Sequence, residues 1–337
     1  MTGEVFEMLF TREFEEDTIA KAKFDVALLI NDKFKCGEFK NELDGFLTLN
    51  EWLKKYELSG LRACMEATGA YSEALATYLH SQEIPVSVVN PAQIKRFAGC
   101  KLVRTKTDKA DAQLIAEFCM TMKPRTWEPK SSCIRELQQW VRRLEDLQSM
   151  RQQDYNRQGT AFLSSIQESI KMSLDFFDQQ IEYTKSKIRE IILSDEELSE
   201  KQKLLETIPG VGEATISQVL GFFGSPEDFQ SAKQVGAFLG LNPRQHQSGT
   251  SVNKSTRISK VGDSTLRKSL YMPALAAIKY NPVIRDFYNS LVSRGKPKKS
   301  AVVACMRKLV HIIYGVLKNE APFDPIWELK RTVSVAF

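Results

Sequence analysis

The 337-residue chain reads as an α/β layer, then a long helical stretch, then a compact and mostly α domain. Three observations predict this. Short β-branched and apolar runs alternate with helical spacing up to about residue 122. Long amphipathic periodicity fills the middle, and after Leu204 the apolar residues recur at helical steps. The chain is about twice the usual domain size, so two domains are the expectation.

Lys23–Ile30 (KFDVALLI) and Lys33–Lys40 (KFKCGEFK) flank Asn31-Asp32, which predicts a β-hairpin. From Lys23 to Pro91 the pattern is of strands with one helix between them. Leu61–Glu66 and Pro85–Asn90 are the further strands, and Ser72–Gln82 is the helix, with Leu75, Tyr78 and Leu79 in register. Ala92–Phe97 and Asp108–Met120 follow as short helices. Lys123–Lys130 holds two prolines and no periodicity, which predicts a linker. Beyond it, Leu137, Val141 and Leu144, then Phe177, Ile181 and Ile188, predict two long amphipathic helices paired as an antiparallel coiled coil to about Lys203. Leu204–Lys318 reads as helices around the polar stretch Asn242–Lys260, with three helices after it.

A 42% hydrophobic and 26% charged composition suits packed globular domains. No apolar run reads as long enough to cross a bilayer, and no signal-like opening is readable, so a membrane or secreted protein is not expected. The six cysteines form no CxxC pair, which predicts reduced thiols in a cytoplasm rather than a zinc or disulfide framework. Net charge is only +5, but residues 241–308 hold 14 Lys/Arg against Asp263 and Asp286, a local +12, while residues 1–60 carry −5. A concentrated positive field is what a polyanion requires, although a solvated basic surface has the same composition.

Three constellations bear on chemistry. Ile208-Pro209-Gly210-Val211-Gly212 between helical segments is a helix-hairpin-helix pattern, whose glycines let backbone amides approach a phosphate. Such hairpins also serve as plain connectors. Glu66 ends a strand, and Asp108 and Asp111 share one face of a first helical turn. Gathered carboxylates suit Mg²⁺, and acidic residues at a helix start also act as dipole partners. Six Lys/Arg between 89 and 110, among them Lys95, Arg96, Arg104 and Lys106, put phosphate contacts beside these acids. Finally, Gln247-Ser248-Gly249 precedes Lys254, Arg257, Lys260 and Arg267, which could neutralise a phosphodiester. Of the three histidines, only His246 stands near enough in sequence to be a proton partner of Ser248.

Together these segments resemble the DEDD transposases of bacterial insertion sequences, including Piv-type DNA invertases and bridge-RNA-guided recombinases. The resemblance runs from about Ile19 to Asp324 and rests on AKAKFDV (Ala20–Val26), MEATGAY (Met65–Tyr71), VVNPAQIKRF (Val88–Phe97), RTKTDKADAQLIAEF (Arg104–Phe118), IPGVGEATI (Ile208–Ile216), FLGLNPRQHQSGTS (Phe238–Ser251) and SLYMPALAA (Ser269–Ala277). It implies an RNase H-like, resolvase-like α/β domain over 19–122, after an atypical segment 1–18. The linker and coiled coil then span 123–203, and a mostly α C-terminal transposase domain with the helix-hairpin-helix and the serine spans 204–324, before a tail at 325–337. It implies four acidic ligands for two Mg²⁺ ions, with Glu66, Asp108 and Asp111 at the second to fourth positions, and Ser248 as a nucleophile forming a phosphoserine link to DNA. The implied partners are double-stranded donor and target DNA, a structured guide RNA and further copies of the chain as dimer or tetramer, in the bacterial cytoplasm at the nucleoid, with no membrane.

One position departs from the family. Its pattern G-I-D-x-A-K would put the first aspartate two residues before Ala20, where this chain has Thr18; Asp17 is one residue early. Side chains alternate along a strand, so Asp17 would face away unless a bulge intervenes. Arg12–Asp17 is also too charged for a central strand. Asp25 belongs to the motif and reads as structural. Two functions follow: an active recombinase, or a nucleic-acid-binding remnant or regulator that has lost a ligand.

Overall fold

The computed structural model describes residues 8–11, 23–56, 58, 60–67, 70–102, 107–223, 226–248 and 252–326. They belong to two compact units, Met1–Lys130 and Ser131–Phe337.

In the first unit, β1 (Met8–Thr11) precedes a hairpin of β2 (Lys23–Ile30) and β3 (Lys33–Lys40). Asn31 and Asp32 take φ of 45° and 61°. Both are positive, as the tight turn matching strand twist requires, and Ile30 pairs with Lys33 across it. α1 (Leu43–Lys54) is a second helix in the region where the residue pattern predicts only one. Its buried Phe46, Leu49 and Leu53 recur at three- and four-residue steps. β4 (Arg62–Glu66), α2 (Ala70–Ser81) and β5 (Val86–Val89) form a parallel crossover, and β4 sits between β1 and β5. A parallel pair cannot be closed by a short turn, so the intervening helix is a geometric necessity. α3 (Pro91–Cys100) and α4 (Asp108–Met122) complete the unit, with α4 lying against β2, β1 and β4.

Two segments differ from the sequence-based expectation. The strand beside β4 is Met8–Thr11, upstream of the charged run, which itself lies outside the described residues. The proline-containing segment Lys123–Lys130 is pinned to β5: the Trp127 amide donates to the Val86 carbonyl at 2.6 Å, and Ser87 Oγ donates to the Pro124 carbonyl at 3.1 Å.

The second unit opens with α5 (Ser132–Gln158) and α6 (Ser164–Ser194), followed by α7 (Glu196–Glu206), α8 (Glu213–Phe222) and α9 (Ala232–Phe238). Next come β6 (Pro243–Ser248) and β7 (Val252–Ile258), then α10 (Ser264–Ser269), α11 (Tyr271–Tyr280), α12 (Pro282–Ser293) and α13 (Lys298–Asn319). Leu137 and Val141 of α5, Ile188 of α6 and Leu309 of α13 are buried in one cluster, so the base of the long helix pair shares the core of the C-terminal helices. Four helices follow the polar stretch rather than three, and the stretch itself folds as the β6–β7 hairpin.

α13 corrects the expectation that no run is long and apolar enough for a bilayer, since its 22 residues pass that test. Its hydrophobicity has another cause. Cys305, Leu309 and Ile313 are fully buried, and α7, α9, α11 and α12 pack around it. It is the core helix of the unit.

Candidate active site and nucleic-acid interface

The acidic residues stand on two elements in contact, Glu66 on β4 and Asp108 and Asp111 on α4. Thr107 caps α4 by accepting the Ala110 amide at 3.2 Å, so the helix begins at Asp108 and carries Asp111 one turn on. Glu66 closes β4, level with Val89 of β5. Two residues earlier, on the same sheet face, the buried Cys64 thiol is hydrogen-bonded to Cys119 of α4. That bond, with burial, pushes the Cys64 thiol far up, so it stays protonated. Glu66 therefore lies on the side of the sheet that α4 covers, and all three acids are partly buried.

Asp25 of β2 joins this region, although its sequence context reads as merely structural. Burial pushes its carboxyl up, and the negative fields of Asp108 and then Glu38 push it further. Like charge near like charge is the condition a cation relieves. Yet among the described residues no group of three or more Asp, Glu, His or Cys is arranged to hold a metal ion. The described carboxylates are suitable hard donors but do not by themselves make a metal site. Asp17 and Thr18, which bear on the first ligand position, lie outside the described residues.

The basic residues divide into two kinds. Lys95 and Arg96 are exposed on α3, whose start is capped by Asn90 accepting the Ala92 amide at 2.8 Å. Arg257 and Lys260 are exposed at and just after the end of β7. Arg267 is tied down instead, its Nη1 donating to the Leu239 carbonyl at 3.0 Å. Arg104 and Lys106 lie outside the described residues.

The β6–β7 register sets Ser248 opposite Val252, at the last pair before the hairpin tip, and Lys254 opposite His246. A bulge separates Arg244 from His246. The tip, residues 249–251, lies outside the described residues. Just before β6 in the chain, Asn242 belongs to a polar cluster that the residue pattern does not announce. Around the position a Cβ on Gly236 would take stand Asn242 Oδ1 at 3.1 Å, Arg307 Nε at 3.4 Å and His311 Nε2 at 3.6 Å. The Asn242 and Arg307 atoms are buried without a hydrogen-bond partner. Only the fold joins them, since α13 is far from Asn242 in sequence.

The glycines of the α7–α8 turn do different things. Gly210 has φ +96°, and a Cβ there would lie 2.6 Å from the backbone of Ala277 in α11, so it packs inward. Gly212 is the open one, with nothing within 4 Å of a Cβ, and it precedes the amides that start α8. Glu213 in that first turn is engaged by Arg189 of α6, with Nη2 at 3.1 Å from Oε2.

Residues 19–166 match the IS110-type DEDD transposase domain, a match beginning just after Thr18, and residues 202–289 match the transposase IS116/IS110/IS902 family. The chain is 34% identical over 309 residues to the pilin gene-inverting protein of Moraxella lacunata, covering 91% of this chain and 96% of that one. The pilin gene-inverting protein of Moraxella bovis is equally similar. A shorter match, 33% identical over 125 residues, 35% of this chain and 33% of the other, is to the transposase for insertion sequence element IS1111A of Coxiella burnetii. A DEDD domain implies an RNase H-like fold and use of a divalent metal. The chain belongs to the IS110-type family of DEDD transposases, a DNA transposase or recombinase by family.

Proposed function

We propose that this chain cuts and rejoins the DNA of a bacterial insertion sequence through a phosphoserine intermediate, with a structured RNA pairing to donor and target. The observation that carries the reading is the placement of Ser248 at the open end of a two-stranded arm whose other end bears exposed Arg257 and Lys260. A nucleophile needs a reachable phosphodiester, and cations at the base of its arm hold the flanking backbone. Ser248 Oγ gives up its proton and bonds to phosphorus; the phosphorus–oxygen bond to one deoxyribose breaks, and that oxygen leaves as a hydroxyl. The reverse attack by a different strand's hydroxyl restores the serine and joins the new DNA. Lys95 and Arg96 beside the acidic face contribute phosphate contacts. The sequence is then read by base pairing and the backbone by protein. Two or four copies act together.

Ser248→Ala tests this, because it removes one oxygen without altering charge. With a cognate RNA and both DNA partners, the covalent protein–DNA adduct on denaturing gels is expected to vanish while RNA and DNA binding persist. An adduct that survives the substitution would refute the serine role.

One observation favours the second reading, a binding remnant or regulator that cannot cut. The strand paired with β4 is Met-Leu-Phe-Thr and carries no carboxylate, and its described part ends at Thr11, level with Met65 and one step short of Glu66. Under this reading, the unaltered chain binds nucleic acid and forms no adduct at all.

A further inference from the structure

The foot of the β6–β7 arm that carries Ser248 is closed by main-chain bonds. The Ser259 amide donates to the Asn242 carbonyl at 2.8 Å, so Asn242 ties the start of one strand to the end of the other. The Leu241 amide donates to the Gly236 carbonyl at 2.9 Å, and the Lys260 amide to the Gly240 carbonyl at 3.1 Å. These bonds fasten the two strands to each other and to the end of α9.

The Asn242 side chain reaches toward Gly236 of α9, and so does Arg307 of α13. Asn242 Oδ1 is an acceptor and Arg307 Nε a donor, and both are buried without a partner. They stand 3.1 and 3.4 Å from one point, the place of a Cβ on Gly236. A side-chain rotation therefore suffices to bring them to the ~2.9 Å of a hydrogen bond. Gly236 leaves the room for this, since a Cβ would press on both atoms. A buried donor and a buried acceptor held apart each cost free energy that pairing recovers. Arg307 sits among Cys305, Met306 and Leu309, all buried, so a bond to it is a bond to the core helix.

We propose that Arg307 and Asn242 are positioning residues for Ser248. Arg307 Nε donates to Asn242 Oδ1 when the arm carries DNA, and the foot of the arm is then fixed to α13. Arg257 and Lys260 are exposed at the same foot, so phosphates drawn to them load the loop that holds Asn242. A nucleophile tolerates little misplacement, so fixing the foot acts on rate rather than on affinity. This rests on the reading of Ser248 as the nucleophile.

The test is hydrogen exchange of the full chain at the Leu241, Ser259 and Lys260 amides, with and without duplex DNA at low salt. In the unaltered chain DNA should slow these amides about tenfold or more. Arg307→Lys keeps the charge but has a methylene where Nε stands, and Asn242→Leu keeps the volume without the acceptor. Both should still bind DNA and lose the slowing. Asn242→Asp supplies an ionised acceptor, so it should slow the same amides before DNA is added. Neither loss should lower the melting temperature of the free chain, because neither atom has a partner there. A plain structural tether would lower it. With a cognate RNA and both DNA partners, each loss should slow adduct formation about tenfold at unchanged affinity. The double variant should be no slower than either single one, since both remove the same bond. Exchange that DNA leaves unmoved, or slowing that survives in Arg307→Lys, would overturn the pairing. A foot that closes as expected in a chain that forms no adduct would overturn the serine reading and leave the pairing standing.

Discussion

Gly210 stands against the backbone of Ala277 with no room between them for a side chain. The contact locks the turn between α7 and α8 onto α11 and joins two stretches almost seventy residues apart. Gly210→Ala meets two penalties, a left-handed φ of +96° and a Cβ 2.6 Å from main-chain atoms. A loss of about 2 kcal/mol or more is expected by chemical denaturation. Gly212→Ala, at φ −107° and in open space, should cost less than about 1 kcal/mol. Equal costs would show that the two glycines share one role.

That pair also marks where the sequence was legible. The double-glycine pattern announces the turn and its flanking helices, but not that the first glycine faces inward, because Ala277 meets it only in three dimensions. The β2–β3 hairpin and α4 were legible because turn chemistry and apolar period agree locally. The β6–β7 arm was not, since its residues are polar on both strands and no alternation marks a buried face. α1 carries a period in Phe46, Leu49 and Leu53, but it lies in a stretch whose β-branched and apolar runs otherwise read as strands. Asp25 became interesting only when packing set it in the field of Asp108.

Glu145 of α5 accepts from Gln218 Nε2 of α8 at 2.5 Å, and its carboxyl is pushed up by burial first, then by Asp146 and Asp263. A raised carboxylate costs stability once it ionises. The native chain therefore loses stability as pH rises from the ordinary glutamate value through the raised one. Glu145→Gln keeps an acceptor and deletes the charge. Thermal melts should show the variant gaining at pH 7 and differing little at pH 4. A gain that is the same at both values would place the effect elsewhere than in ionisation.

The +12 segment predicts salt-dependent binding. The logarithm of affinity for duplex DNA should fall linearly with the logarithm of salt, and Arg257→Glu with Lys260→Glu should flatten that slope by about 1 for each phosphate no longer neutralised. Both residues are exposed, so their reversal leaves the fold alone. Arg267→Glu should act differently and lower stability, because its guanidinium holds the Leu239 carbonyl. A flat salt response in the unaltered chain would make the basic segment a solvated surface.

Thr18→Asp bears on whether the acidic site is complete. The family's first aspartate corresponds to Thr18, the family match begins at the next residue, and the described part of β1 carries no acid. A hydroxyl is neutral at every working pH, whereas an aspartate at 18 adds a full charge that the family pattern sets with those of Glu66, Asp108 and Asp111. Without a cation that fourth charge should raise neighbouring carboxyls and lower stability. With a divalent cation in excess, the loss should be recovered, because binding to the folded state stabilises it by mass action. Melting Thr18→Asp and the unaltered chain with Mg²⁺ and with a chelator separates the cases. A larger Mg²⁺-dependent rise in the variant, together with more adduct on Ser248, is the expected result. If the unaltered chain already gains as much from Mg²⁺ and cuts as fast, then Asp17 or Asp25 supplies the missing carboxylate, and Thr18 is no defect.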